Sequence, residues 1–325
     1  MQRTVVGVVR GGPSSEYDIS LLSGAEVLRE LDRSKYEPKD IFIGKNGAWH
    51  VQGVEVSPDR ALRGIDVVFN AIHGEYGEDG TVQRLLDMHG IPYTGSGTVP
   101  SAIAFNKHQT KEVAKRLGFK VAQGVLVEAD SREKAEDEAL RVFKAMCGPW
   151  IVKPVASGSS MGVVVAKDFH SLIDAIAEAS AISPRILVEE YITGREATCG
   201  VVDNFRGEDV YGLFPIEIIR PKDTSHWSRT AKYDGSSQEI CPGNFSAEEK
   251  HKLVEFSKAI HKELQLSHYS RSDFILSPRG IYFLEVNTLP GLTSESLLPK
   301  AIKAAGGTLS EFFTHIIELA RGKSR

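Results

Sequence analysis

Residues 4–31 read TVVGVVRGGPSSEYDISLLSGAEVLREL. The β-branched run 4–9 ends in Arg10-Gly11-Gly12-Pro13, and from Glu16 to Leu31 apolar residues recur at Ile19, Leu22, Val27 and Leu28. Strand, glycine turn and helix in that order open a doubly wound α/β unit with a parallel sheet. Apolar runs at 40–43 and 67–72 extend the sheet, and 81–89 reads as a helix. The glycine-rich stretch GIPYTGSG at 90–97 closes this first unit, residues 1–97.

A second unit, 98–190, is predicted to be α+β. It holds helices over 107–117, 131–145 and 169–180 and strands at 121–127, 150–152, 162–166 and 186–190. The third unit, 191–325, begins with strand-like 195–202 and 209–219. The run 220–243 (RPKDTSHWSRTAKYDGSSQEICPG) then shows no period, and a segment of that length in a compact domain reads as a lid loop. Ser246-x-x-Glu249 and Thr308-x-x-Glu311 are capping boxes that open the last two long helices.

Composition narrows the function classes. In 325 residues, 39 Lys and Arg face 43 Asp and Glu for a net charge of -4, so no global basic field draws the chain to nucleic acid. No run approaches the ~20 apolar residues of a membrane span, and the N-terminal apolar run, broken by Arg10, is too short for a signal sequence. The expectation is a cytoplasmic protein without membrane contact. Cys147, Cys199 and Cys241 form no C-x-x-C pair and read as reduced, mostly buried thiols.

Four stretches carry chemistry. In Arg271–Leu297, RSDFILSPRGIYFLEVNTLPGLTSESL, residues 271–276 and 281–287 are predicted to pair as a hairpin across the five-residue loop 277–281. Asp273 then lies opposite Glu285, and Arg271 opposite Asn287. Tyr282, Leu284 and Val286 would share one face, Phe283, Glu285 and Asn287 the other. Asp273, Glu285 and Asn287 are hard oxygen donors that suit Mg²⁺ shared with substrate phosphates. The loop 153–162, KPVASGSSMG, can turn successive backbone N–H groups toward phosphate oxygens beside Lys153, with Lys107 as a second contact. Around 188–196, VEEYITGRE, a strand end and nearby carboxylates can hold a nucleoside, adenine on backbone groups and ribose on a carboxylate. Finally HGEYGEDG at 73–80 follows an apolar strand, where ligands bind in doubly wound sheets.

Together these features resemble the ATP-grasp superfamily, and within it the D-alanine–D-alanine ligases. The resemblance spans nearly the whole chain: Gly11, Gly12, Ser14, Glu16 and Ser20; H-G-x-x-G-E-D-G at 73–80; P-Y-T-G-S-G at 92–97; K-P-x-x-x-G-S-S-x-G at 153–162; A-K-Y at 231–233; R-x-D at 271–273; and L-E-x-N-T-x-P-G-x-T-x-x-S-L at 284–297. The histidine loop and the last motif are the specific ones. The resemblance implies a three-domain ATP-grasp architecture, an N-terminal doubly wound parallel sheet followed by two α+β domains sandwiching ATP. It implies ligation of two D-alanines through a D-alanyl phosphate, for peptidoglycan precursor synthesis, by a homodimer.

By the same resemblance, Asp273, Glu285 and Asn287 hold two Mg²⁺ (or Mn²⁺). Lys107, Lys153 and Lys232, with the backbone at Ser159, Ser160 and Met161, neutralise the phosphates, and Glu189, Glu190, Tyr191, Ile192 and Glu196 cradle adenosine. Arg271 and the Gly291 N–H stabilise an oxyanion. Glu16, near His73, takes the first substrate's ammonium, and Ser296 and Leu297 receive the second substrate's carboxylate. Glu16, Ser159 and Tyr233 form a triad closing the lid, and Tyr233 favours D-alanine as second substrate. Tyr17, Asn106, Tyr191, His268 and Ser270 depart from the residues usual in the family, the last two in a place that can reshape the second pocket. Two competing readings are a ligase of the same scaffold joining D-alanine to another D-amino or D-hydroxy acid, and a non-catalytic nucleotide-binding module.

Overall fold

The computed structural model describes residues 3–158, 161–220 and 237–322, and they build three sheets. In the first, strands β1 (Thr4–Gly11), β2 (Tyr36–Ile43), β3 (Trp49–Val51), β4 (Val54–Val56) and β5 (Val67–Asn70) lie in the order β4-β3-β2-β1-β5. β1 is parallel to both β2 and β5. Its residues are buried on both faces, which is why the run reads as continuously apolar. Val6 and Val8 pack with Val27 and Leu31 of and after helix α1 (Tyr17–Glu30). Val9 packs on the other side with Ile41, Val82 and Leu86, the last two from a helix over Thr81–Met88. The β3–β4 hairpin was not foreseen; its turn, Gln52-Gly53, has both residues at positive φ (53° and 79°), as a two-residue hairpin turn requires.

The second sheet has the order β7-β10-β8-β9: β7 (Gly124–Glu128), β8 (Trp150–Pro154), β9 (Val164–Ala166) and β10 (Arg185–Glu190). Helices over Arg132–Ala145 and Phe169–Ser180 cover one face with a core of their own that includes Val142, Trp150, Leu172 and Ile186. The third sheet runs β14-β13-β11-β15-β16-β6, with β12 beside β11. These strands are β6 (Lys120–Val121), β11 (Arg195–Phe205), β12 (Glu208–Gly212), β13 (Ile216–Ile219), β14 (Gln238–Ile240), β15 (Tyr269–Ser277) and β16 (Gly280–Asn287).

Packing departs from the expected division at two places. Helices over Thr98–Phe105 and Lys107–Arg116, with β6, belong to the third sheet: Ala104, Val113 and Ala114 share a core with Phe274, Phe283 and the helix Ala247–Glu263. The C-terminal helix, Leu309–Gly322, returns to the first sheet, where Phe313 meets Phe69 with ring centroids 5.3 Å apart. One apolar cluster therefore joins the first and third sheets, while the second keeps a separate core.

The β15–β16 hairpin places Asp273 opposite Glu285 and Arg271 opposite Asn287, as parity requires. The five-residue loop is corrected: Ser277 pairs with Gly280, leaving Pro278-Arg279 as a two-residue turn, and a bulge beside Asp273–Phe274 takes up the extra residue at Leu284. The bulge also resets the faces. Val286 joins Phe283 in the helix-covered core, and Tyr282 and Leu284 cluster with Ile275, Ala122 and Ile192. Both capping boxes form, at Ser246/Glu249 and Thr308/Glu311. The thiols are free, but only Cys199 is buried; Cys241 is half-buried and Cys147 exposed. Among the described residues no helix is long and apolar enough to cross a membrane.

Candidate active site

Loops from all three sheets meet at one place. The turn after β1 carries Ser14, whose hydroxyl donates to the His73 carbonyl at 2.7 Å, joining it to the loop after β5. Glu75 accepts from the Ser15 N–H and hydroxyl. Glu16, at the start of α1, reaches the tip of the 153–162 loop: a Cβ on Gly158 would lie 2.0 Å from Glu16 Oε1 and 3.3 Å from Gly74 Cα. The second sheet's loop is thus seated on the first sheet's loops, and Gly158 is the residue that allows it.

His73 is buried, and both its ring nitrogens are engaged by protein. Nδ1 lies 2.7 Å from the Leu289 carbonyl, so it carries the proton, and Nε2 accepts from Ser23 Oγ at 2.7 Å. Ser23 in turn accepts from the Leu292 N–H. The ring therefore anchors the 288–292 turn to α1. Burial pushes its pKa from the ordinary 6.5 to about 4. Between these values the unfolded chain binds a proton that the folded chain does not, so stability weakens by up to roughly 3 kcal/mol as pH falls from 6.5 to 4. Urea unfolding across that window is expected to show a flatter pH dependence for His73→Gln than for wild type; equal slopes would contradict the buried neutral ring.

Glu78, in the same loop, accepts the Gly74 N–H at 2.8 Å and is buried. Burial first, then the neighbouring Glu16 charge, raises its pKa well above the carboxylate range. The H-G-x-x-G-E-D-G motif contains Glu78, but nothing in the motif's spacing marks it as a buried acceptor.

Arg271 forks onto Asp273 with both bonds at 2.9 Å, and Thr198 donates to the same carboxylate at 2.5 Å. Burial opposes the guanidinium charge, but Asp273 overrides it and raises the pKa. Lys107 Nζ lies 3.3 Å from Glu285 Oε2 and donates to the Ser157 carbonyl at 2.6 Å, tying the third sheet to the 153–162 loop. Asn106 N-caps the Lys107 helix through its side chain. Asn287 Oδ1 accepts the Leu289 N–H at 2.9 Å and shapes the turn that follows. Gly291 sits against Ser296, where a Cβ would approach Oγ to 2.7 Å, and Ser296 stands at the N-cap position of the helix Leu297–Ala304 without a side-chain cap bond. That helix N-terminus suits a carboxylate.

The residues expected to hold adenosine have protein partners. Glu189 is spent on two lysines, 2.7 Å from Lys153 Nζ and in contact with Lys111 Nζ. Glu190 accepts from the Gln123 N–H and from Arg279, fastening the hairpin turn to the second sheet. Glu196 holds Arg220 in a fork at 2.8 Å. The Tyr191 N–H donates to the Pro149 carbonyl, and Ile192 lies in the small cluster with Ile275 and Tyr282. The Met161 N–H donates to the Gly158 carbonyl. Ser159, Ser160, Lys232, Tyr233 and most of the run 220–243 lie outside the described residues. His268 and Ser270 are absorbed by a buried network: His261 bridges Ser270 and Asp203, and His268 Nδ1 accepts the Gly95 N–H.

A three-sheet α/β chain with lysines, paired carboxylates and a glycine loop at the sheets' junction defines a nucleotide-dependent ligase scaffold of the ATP-grasp type. Comparison with known proteins is specific. The family model for the D-ala D-ala ligase C-terminus matches residues 113–318, and that for the N-terminus matches 5–61 and 52–96. A D-alanine–D-alanine ligase of Flavobacterium johnsoniae is 38% identical, covering 97% of this chain and 98% of the relative. That of Caldicellulosiruptor bescii is 34% identical over 100% and 97%. Among solved structures, the VanG D-Ala:D-Ser ligase from Enterococcus faecalis has a TM-score of 0.85 at 29% identity, covering 98% of this chain and 100% of that one. The D-alanine–D-alanine ligase of Coxiella burnetii has 0.84 at 26%, covering 99% and 95%. The chain belongs to the D-alanine–D-alanine ligase family.

Proposed function

We propose that the chain uses ATP to join two D-alanine molecules into D-alanyl-D-alanine, supplying peptidoglycan precursor synthesis. The observation that supports this is the contact of Gly158 with Glu16 and Gly74, together with the Arg271–Asp273 and Lys107–Glu285 pairs, residue types that suit an anchoring carboxylate, a phosphate loop and paired charges. Lys107 and Lys153 would steady the ATP phosphates with the loop backbone, and Glu16 would hold the ammonium of the first D-alanine. Its carboxylate oxygen attacks the γ-phosphorus, the bond to the β-phosphate oxygen breaks, and ADP leaves. The second amine then attacks the acyl carbon, the nitrogen gives up a proton to the departing phosphate or to solvent, and the C–O bond to phosphate breaks as the peptide bond forms.

Arg271 and the Gly291 N–H would face the oxyanion of that addition, and the helix N-terminus at Ser296–Leu297 the second carboxylate. The seated loop excludes water from the acyl phosphate, which would otherwise hydrolyse. Among the described residues no group of three or more His, Cys, Asp or Glu is gathered around a metal-sized site. The donors that are present, Asp273 and Glu285 paired across the hairpin with Asn287 two residues on, fit Mg²⁺ or Mn²⁺ completed by substrate phosphates. Asp273, Glu285 and Asn287 would hold two such ions, which supply charge neutralisation on the phosphates. By the family likeness we place the reaction in the cytoplasm and read the enzyme as a homodimer, which light scattering at twice the chain mass would support.

Labelling both D-alanine carboxylate oxygens with oxygen-18 tests the chemistry. One label is expected in each phosphate released; unlabelled phosphate would contradict an acyl phosphate route.

A further inference from the structure

Lys111, Glu189 and Lys153 form a buried chain of three charges, and the sequence reading used only two of them. The Lys111, Glu189 and Lys153 side chains are 4%, 4% and 9% exposed. Lys111 stands one turn beyond Lys107 on a helix that packs on the third sheet, whereas Glu189 and Lys153 sit on β10 and β8 of the second. The Lys111–Glu189 pair therefore crosses between the two layers. Burial lowers the Lys111 pKa to about 8, yet Glu189 is held below the ordinary carboxylate range despite its own burial, by Lys111 and then Lys153.

One carboxylate does not need two cations for itself. Lys153 lies at the mouth of the 155–162 loop, next to the proposed phosphate site, whereas Lys111 stands in mid-helix and is the less exposed of the two. If Lys153 turned away and nothing replaced it, Glu189 would be left as a lone buried carboxylate, a costly state.

We propose that Lys111 is a positioning residue for nucleotide binding: the fixed counter-ion of Glu189 that frees Lys153 to engage the phosphates of ATP. It touches neither substrate nor reacting atoms. The inference rests on the ATP-dependent reading of the site, and deepens it.

The test is a double-mutant cycle read by calorimetric titration of ATP and by kinetics. Lys111→Met is expected to weaken ATP binding about 10-fold or more and to raise KM for ATP while kcat stays within about 3-fold, because Lys153 is then retained by Glu189. In a Glu189→Gln background the same change is expected to cost less than about 3-fold, since no buried charge remains to be held. A packing role alone would lower the melting temperature equally in both backgrounds and leave the ATP affinities uncoupled. Equal fold-losses in both backgrounds, or an unchanged affinity in Lys111→Met, would overturn the proposal. Should Lys111→Met not fold, Lys111→Gln, which fills the space without charge, runs the same cycle. A wild type that binds ATP but releases no ADP with D-alanine would sink the ligase reading, while the binding cycle would still decide the role of Lys111.

Discussion

Gly158→Ala is expected to lower kcat by about 10²-fold or more with little change in melting temperature. The added methyl would lie 2.0 Å from Glu16 Oε1, so the Glu16 carboxylate must swing away or the loop must lift. Either movement is cheap for the fold, because the displaced atom is the end of a flexible side chain. It is expensive for the reaction in the proposed mechanism, where Glu16 orients the first substrate and the loop closes over it. Gly158 does not have a positive φ, so backbone strain adds nothing and the effect is one of space alone. Steady-state kinetics with differential scanning calorimetry separate the two: a kcat within 3-fold of wild type would contradict the seated-loop geometry.

Arg271→Met is expected to lower kcat by about 10²–10³-fold through loss of an oxyanion donor. Unlike Gly158→Ala, it is also expected to cost roughly 1–3 kcal/mol of stability, because the half-buried Asp273 loses its bidentate partner. Asp273→Asn in the same chain removes the stranded charge, so the double variant is expected to regain most of the stability and none of the activity. Urea unfolding and initial rates read the two effects independently. A kcat of Arg271→Met within 3-fold of wild type would contradict its role as an oxyanion donor.

These expectations show where sequence reasoning reached and where it stopped. Parity along the hairpin was enough to set Asp273 opposite Glu285, since an even separation is a local property of paired strands. The bulge at Leu284 was not legible, because one inserted residue and a turn shortened to two leave the same parity at the ligand positions. The first sheet followed from apolar runs in order along the chain. The return of the C-terminal helix to that sheet did not, nor did the allegiance of the 98–121 segment to the third sheet, for an amphipathic helix does not say which sheet it covers.

The site was legible as a set of positions but not as a set of partners. His73 was found by its motif, while the Leu289 carbonyl that takes its proton is 216 residues away. Glu189 and Glu190 stood out as adjacent carboxylates, and only the fold reveals that lysines and Arg279 consume them. Lys111 left one local signal, a lysine four residues after Lys107 on a face that otherwise turns inward, and that spacing was open to view.

The central claim is most directly tested by the product. Incubated with Mg-ATP and equal D-alanine, D-serine and D-lactate, the protein is expected to yield D-alanyl-D-alanine as the dominant product by mass spectrometry, with one ADP per product. A mixed product carrying serine or lactate would contradict the assignment of the second substrate, and ATP binding without any ligated product would contradict the enzyme itself.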